Sequence, residues 1–430
     1  MPKAVSLSFL GTCCGGGPLP NRCCSSSLLD VAGALWMIDC ADGTVKQLMQ
    51  AGIRISRLRK IFITHMHGDH CLGVVPVMAN LMSGAGGTER TDLRLEVYGL
   101  SGIRELIRTT LRLTKSQLNG RYAVHELLHP NETPYTCAQQ ELHGNELPGR
   151  DIYCGDDGFW RAFEKSDGFD IDAGPIQHRV NSLGYVFREP PQTSRLEISQ
   201  IMDPINRNKE ALAKIGFSPP FKLIDHILSI RRPYTLPDGY VIDPPSQIPG
   251  RKLVILGDTH DPWAMKDLAM DASILVHEAT NAYIPPNLLR TGRAGGPSSE
   301  EGVRAKAISK GHSTPGMAGE FAKAINAQRL VLNHFSGRFA PAESSPPYAW
   351  SGGRNPRQQH GRGRSGDDDK ARMLREIERQ ATAAWLESPD SSKWPTAVAA
   401  WDFLSLDIRE HEARDNMNAE ISDIREQRNG

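Results

Sequence analysis

The sequence predicts an α/β or layered αββα arrangement, on three observations. Short apolar runs alternate with helical patterns between residues 4 and 117. The alternation resumes between 252 and 333. Residue types that carry chemistry recur directly after apolar runs, where the strands of a layered fold end.

In chain order, Val5, Leu7 and Phe9 alternate with Ser6 and Ser8, so 4–10 reads as a strand and not as a secretory leader. Strands follow at 26–30, 34–39, 59–63 and 94–98, with helices at 43–51, 70–82 and 101–117. The stretch 131–170 is rich in Gly, Asp and charge and predicts no element. Strands return near 169–177 and 183–188. Residues 190–250 are broken by prolines, with one helical patch near 207–215. Strands at 252–257 and 273–277, an interrupted segment at 286–311, a helix at 315–326 and a strand at 329–333 come next. Residues 341–369 are rich in Ser, Pro, Gly and Arg and read as a disordered insert. A helix at 370–386, a final strand within Trp401–Ile408 and a charged tail at 409–430 complete the chain. The length of 430 residues suits two or three domains and also allows one large α/β domain with insertions.

The 50 basic and 50 acidic side chains cancel, which excludes a uniformly basic nucleic-acid coat and leaves anion binding to local patches. The eight cysteines form no C-x-x-C pair, and adjacent pairs such as Cys13-Cys14 are poor disulfide partners, which predicts a reduced, intracellular protein. The longest apolar stretch, 72–82, is too short to span a bilayer, so no membrane partner is expected.

Thr64-His65-Met66-His67-Gly68-Asp69-His70 directly follows the apolar run Lys60–Ile63. His65 and His67 fall on one side of an extended strand end, and Asp69 and His70 lie where the chain turns into a helix. One histidine in a loop usually means nothing. Three with a carboxylate at this spacing suit two adjacent metal ions, zinc first, with manganese or iron also fitting the donors. Further ligands are expected at other strand ends: His178 after FDIDAGPIQ, Asp258 after KLVILG and His334 after RLVLN. Asp258 could bridge the ions, with His65, His67 and His178 on one and Asp69, His70 and His334 on the other. His277-Glu278-Ala279-Thr280 follows the run SILV; His277 reads equally as a core histidine. Thr314 and Pro315 suit the N-cap and first position of a helix, a place for a phosphate. His312 could protonate a departing alkoxide, with Glu278 holding its ring.

In order, HMHGDH, Gly257-Asp258-Thr259, HEAT, GHST and His334-Phe335-Ser336-Gly337-Arg338-Phe339 resemble ribonuclease Z, the metallo-β-lactamase-fold endonuclease that trims the 3′ trailer from precursor tRNA. Phe9-Leu10-Gly11-Thr12 and Asp39-Cys40-Ala41-Asp42-Gly43-Thr44 are similar to its first elements, with Asp42 in place of Glu. The resemblance implies metal ligands at His65, His67, Asp69, His70, His178, Asp258 and His334. It implies catalytic roles for Asp69, Glu278 and His312, and substrate contacts at Ser313, Thr314 and Arg338. Two zinc ions would lower the pKa of a shared water and clamp the phosphodiester for in-line attack. It also implies an αββα sandwich with one enlarged core over 1–340, an arm at about 190–250 and a closing segment at 370–408. The homodimer it implies has that arm, between His178 and Asp258, present tRNA to the partner's site, in the cytoplasm or nucleus. Leu236–Gly239 matches that arm, whereas Lys214–Lys222 departs from its Gly-Pro-rich pattern. A hydrolase of small phosphodiesters, such as cyclic nucleotides, is the alternative.

Overall fold

The computed structural model describes residues 4–409 apart from 16–18, 20–21, 83–91, 137, 139–140, 194–195, 246, 289–298, 340–363 and 387–395. Most of the 341–369 insert, Arg354, Arg357 and Arg362 within it, and nearly all of the tail lie outside the described residues. So do residues 289–298 of the segment expected to be interrupted.

The first sheet holds β1 (Val5–Gly11), β2 (Ser26–Val31), β3 (Ala34–Cys40), β4 (Leu58–Phe62), β5 (Leu93–Leu100) and β6 (Arg121–Leu128) side by side. The second holds β7 (Trp160–Ser166), β8 (Phe169–Ile176), β9 (Ser182–Arg188), β10 (Lys252–Leu256), β11 (Ile274–Glu278), β12 (Leu330–Asn333) and β13 (Val398–Ala399). A last strand, β14 (Ser405–Asp407), returns to the first sheet beside β1.

Period-two alternation explains the layers. Leu29, Trp36 and Ile38 join Tyr185, Phe187 and Ile255 in the core between the sheets. Their neighbours Leu28, Leu35 and Met37 face the other way, against the first layer of helices. That layer is α1 (Thr44–Gln50), α2 (Val74–Met82) and α3 (Ile103–Thr114). The outer face of the second sheet, with Val254, Leu275 and Leu332, is covered by Phe321 and Ile377 from helices described below.

Strands β6 and β7 run through sequence that predicted no element. Glu126 of β6 is buried and pairs with Arg104 at 3.2 Å, and the half-buried Glu164 of β7 pairs at 3.0 Å with Lys60 of the facing sheet, which also pairs with Glu96.

Residues Glu189–Gly250 form a separate unit. It contains three helices rather than one helical patch: α4 (Ile198–Arg207), α5 (Lys209–Lys214) and α6 (Lys222–Ile230). Ile201, Ile205, Leu212, Leu223 and Ile227 give it a small core of its own.

Beyond it, the segment expected to be interrupted holds α7 (Glu300–Ser309), started by Ser299, whose hydroxyl accepts from the Gly302 N–H at 3.1 Å. Helix α8 (Pro315–Ala324) follows. Helix α9 (Arg364–Trp385) starts before the expected position at 370 and takes in the acidic run Asp367–Asp369. Among the described residues no helix is long and apolar enough to cross a membrane.

Candidate metal centre

Strands β10, β11 and β12 are parallel, so their C-terminal ends share one edge. Asp258 lies two residues past β10, Glu278 ends β11, and His334 follows β12. In the first sheet, β3 and β4 run parallel, and His65 comes just past β4. Gly68–Cys71 makes one helical turn with His67 at its N-cap position, which swings Asp69 and His70 toward the second sheet's ligands.

Two donor sets result. His65 Nε2 and His67 Nδ1 lie 3.0 Å apart, and His67 Nδ1 and His178 Nε2 3.3 Å apart. His70 Nε2 and His334 Nε2 lie 3.2 Å apart, and Asp69 Oδ2 is 3.5 Å from His334 Nε2. Asp258 faces both sets. Its Oδ1 lies 3.2 Å from His334 and 3.4 Å from His70, and its Oδ2 lies 3.8 Å from His65 and 3.9 Å from His178. Two donors on one tetrahedral zinc, each about 2.0–2.1 Å from it, stand roughly 3.3 Å apart. The observed spacings therefore suit an ion within each set, and nitrogen and carboxylate donors suit zinc.

The electrostatics of the first set agree. Burial, with His70 close by, holds the His65 imidazole well below its ordinary pKa, and burial does the same more gently for His67 and His178. Neutral rings keep their lone pairs for a metal. Burial opposes charge on His70 and Asp258, yet attraction from Asp258 and Asp39 raises His70 well above its usual range, and His334 and His70 hold Asp258 well below its own.

Four of the five rings are aimed by a group behind them. His70 Nδ1 donates to Asp39 at 2.7 Å, and Thr64 donates to the same carboxylate through its N–H at 2.8 Å. The Thr64 hydroxyl accepts from His65 Nδ1 at 3.0 Å. His178 Nδ1 donates to the Gly311 carbonyl at 2.6 Å. Thr280 accepts from His334 Nδ1 at 3.0 Å, and its hydroxyl donates to Glu278. Asp39 and His334 hold φ of 57° and 58°, left-handed backbone that costs on the order of 1–3 kcal/mol each. Sequence reasoning assigned no supporting role to Asp39, Thr280 or Gly311, although all three lie in the motifs it quoted.

His312 sits beside both sets. Its Nδ1 donates to Glu278 Oε1 at 3.0 Å and lies 3.8 Å from Asp258. Burial works against its charge, but the Glu278 hydrogen bond prevails and raises its pKa. The cleft, about 660 Å³, is lined by His67, Asp69, Asp258, His312, His334 and Arg338, among others. Arg338 donates to Asn281 at 3.1 Å.

Two of the expected substrate contacts are buried. Ser313 is fully buried and donates to the Thr259 carbonyl at 2.6 Å, so it fixes the loop after Asp258. Thr314 is also buried, at the N-cap position of α8, without a capping bond from its hydroxyl. His277 is a core histidine: it is buried against Phe321 and donates to the Glu278 carbonyl at 2.8 Å.

Asp402, just before β14, accepts from Thr12 at 2.8 Å, Cys23 N–H at 2.6 Å and Gln47 at 2.9 Å. It thereby anchors the Thr12–Gly15 strand end, and a Cβ on Gly15 would come within 2.9 Å of Asp69.

Comparison with known proteins places these features. Residues 5–98, which include the His65–His70 cluster, match the family model described as anti-Pycsar protein Apyc1. Zinc phosphodiesterase ELAC protein 1 of Bos taurus is 31% identical over 357 residues, 79% of this chain and 88% of that protein. Ribonuclease Z of Streptococcus agalactiae is 30% identical over 345 residues, 78% of this chain and 90% of its own length. The crystal structure of the short form of human tRNase Z superposes with a TM-score of 0.54 at 24% identity, covering 94% of this chain and 99% of that one, and so shares its fold. On this identity, sustained over most of both chains, the protein belongs to the ribonuclease Z family.

Proposed function

We propose that this chain is a zinc-dependent endoribonuclease that removes the 3′ trailer from precursor tRNA. The observation that carries the reading is the position of Asp258, whose two oxygens face two separate donor sets with His312 beside them. His65, His67 and His178 would hold one ion, Asp69, His70 and His334 the other, and Asp258 both. When bound, two zinc ions would lower the pKa of a water between them and neutralise the charge of the scissile phosphate.

The chain's own groups supply the rest. Asp69, held ionised against burial by His334 and His70, orients that water and accepts its hydrogen bond. His312 has its Nδ1 committed to Glu278, which leaves Nε2 to give a proton to the departing oxygen. Glu278 keeps that ring charged and is itself held by the Thr259 N–H at 2.7 Å. The tRNA side would leave with a 3′ hydroxyl and the trailer with a 5′ phosphate. The names of the relatives, a ribonuclease and a zinc phosphodiesterase, support the same chemistry. The reading extends to a homodimer that works in the cytoplasm or nucleus.

Purified protein incubated with a trailer-bearing precursor tRNA tests it. Cleavage directly after the discriminator base, stopped by a chelator, is expected. Intact RNA alongside hydrolysis of bis(p-nitrophenyl) phosphate would replace it with the small-phosphodiester reading.

A further inference from the structure

We propose that Lys306, Lys310 and Arg179 form a second phosphate subsite beside the metal centre, which docks an RNA backbone phosphate next to the scissile one. The proposal rests on the RNA-cleaving reading above and deepens it.

Helix α7 delivers the two lysines. They are four residues apart, so they share one side of the helix end, and both are exposed and line the cleft. Gly311 turns the chain out of the helix at φ 76°. Its N–H bonds the Ile308 carbonyl at 2.8 Å, and the His312 N–H bonds Ala307 at 2.9 Å. The same turn carries Gly311 against His178 and Arg179: a Cβ there would meet His178 Nδ1 at 2.8 Å and Arg179 N at 3.0 Å. The helix end, the third histidine and Arg179 are thus one packed assembly.

Charge makes the assembly a ligand site rather than a solvated face. Arg304, on the same helix, is neutralised by Glu320 through contacts of 2.7 and 2.9 Å. No described carboxylate pairs with Lys306, Lys310 or Arg179. In a chain whose charges cancel overall, three unneutralised cations on one cleft wall mark a local anion site. The two donor sets and His312 already answer the charge of one phosphodiester. Further cations in the same cleft imply a substrate with more than one phosphate, which a nucleic-acid strand supplies and a single small diester does not.

The test is binding of a short fluorescent single-stranded RNA to full-length protein, by anisotropy across a salt series. It compares wild type, Lys306→Ala/Lys310→Ala and Lys306→Arg/Lys310→Arg. The alanine pair should lower the slope of log affinity against log salt by about 1.4, at roughly 0.7 per phosphate contact on a single strand. The arginine pair should restore it. RNA affinity should also fall several-fold more than hydrolysis of bis(p-nitrophenyl) phosphate, which carries one phosphate. An unchanged slope, or parallel loss of both readouts, overturns the subsite. Wild type that binds RNA with the steep slope yet leaves precursor tRNA intact would sink the trailer-removing function and leave the subsite standing.

Discussion

His178 and Gly311 lie 133 residues apart in sequence, and the Nδ1–H of the one donates to the carbonyl of the other at 2.6 Å. A backbone group therefore sets the tautomer of this ring and leaves Nε2 facing the donor set. Gly311 also holds φ of 76°, and a Cβ there would sit 2.8 Å from His178 Nδ1. Gly311→Ala should displace the ring and weaken metal affinity about 10–100-fold, the range for outer-shell partners. Zinc titration with a competing chromophoric chelator would show it; unaltered affinity would mean that the ring is aimed by something else.

Asp258→Ala removes the one carboxylate common to both donor sets. Metal content should drop below two per chain, and hydrolysis should fall to background. Elemental analysis that still found two ions per chain would refute the shared role.

His312→Ala should keep the metals and slow precursor cleavage by roughly a hundredfold or more, the scale of general-acid catalysis. The loss should be much smaller with bis(p-nitrophenyl) phosphate, whose leaving group departs without a proton. Equal losses on both substrates would assign His312 to binding instead.

Asp39→Ala leaves the Nδ1 of a fully buried His70 without its acceptor. Metal affinity should fall about 10–100-fold. Retained affinity, with an unchanged thermal midpoint in the metal-free state, would count against a supporting role.

Burial pushes the Asp402 carboxyl up to about 6, against the pull of the Cys23 N–H and Arg22. The folded state then holds this proton more tightly than the unfolded chain. Its contribution is complete below pH 3.8 and is lost as pH rises through about 6. Relative to Asp402→Asn, the wild-type protein should lose about 3 kcal/mol of stability between those pH values, at ~1.4 kcal/mol per tenfold change in proton affinity. Denaturant midpoints measured at pH 4 to 7 would show parallel curves if the carboxyl were not buried as described.

The donors were legible because the chain writes them locally: His65, His67, Asp69 and His70 sit within six positions, and the other three each follow an apolar strand. The groups behind them were harder to read. Asp39 and Thr280 act through contacts that only the sheet edge creates, and Gly311 acts through its carbonyl, which no side-chain pattern reports. Strand β6 was missed because His125 and Glu126 interrupt its apolar run; both are buried, Glu126 on Arg104 and His125 beside Arg150 and Glu96. The helices of Glu189–Gly250 were hidden by Pro204, inside α4, and by Pro219 and Pro220 ahead of α6. Ser313 hid a second role for the opposite reason: its hydroxyl, in a catalytic-looking motif, holds a loop.

The two sheets are fastened at different places by different means. Lys60 of the first sheet grips Glu164 of the second with no help from solution. At the edge where the donors gather, His65 to His70 hang from the first sheet and His178, Asp258 and His334 from the second, so an ion there is a rivet through the sandwich. Folding and metal supply would then be coupled. The melting temperature should climb with free zinc as binding to the native state alone requires, and zinc starvation should open the seam at that edge before it loosens the one closed by Lys60.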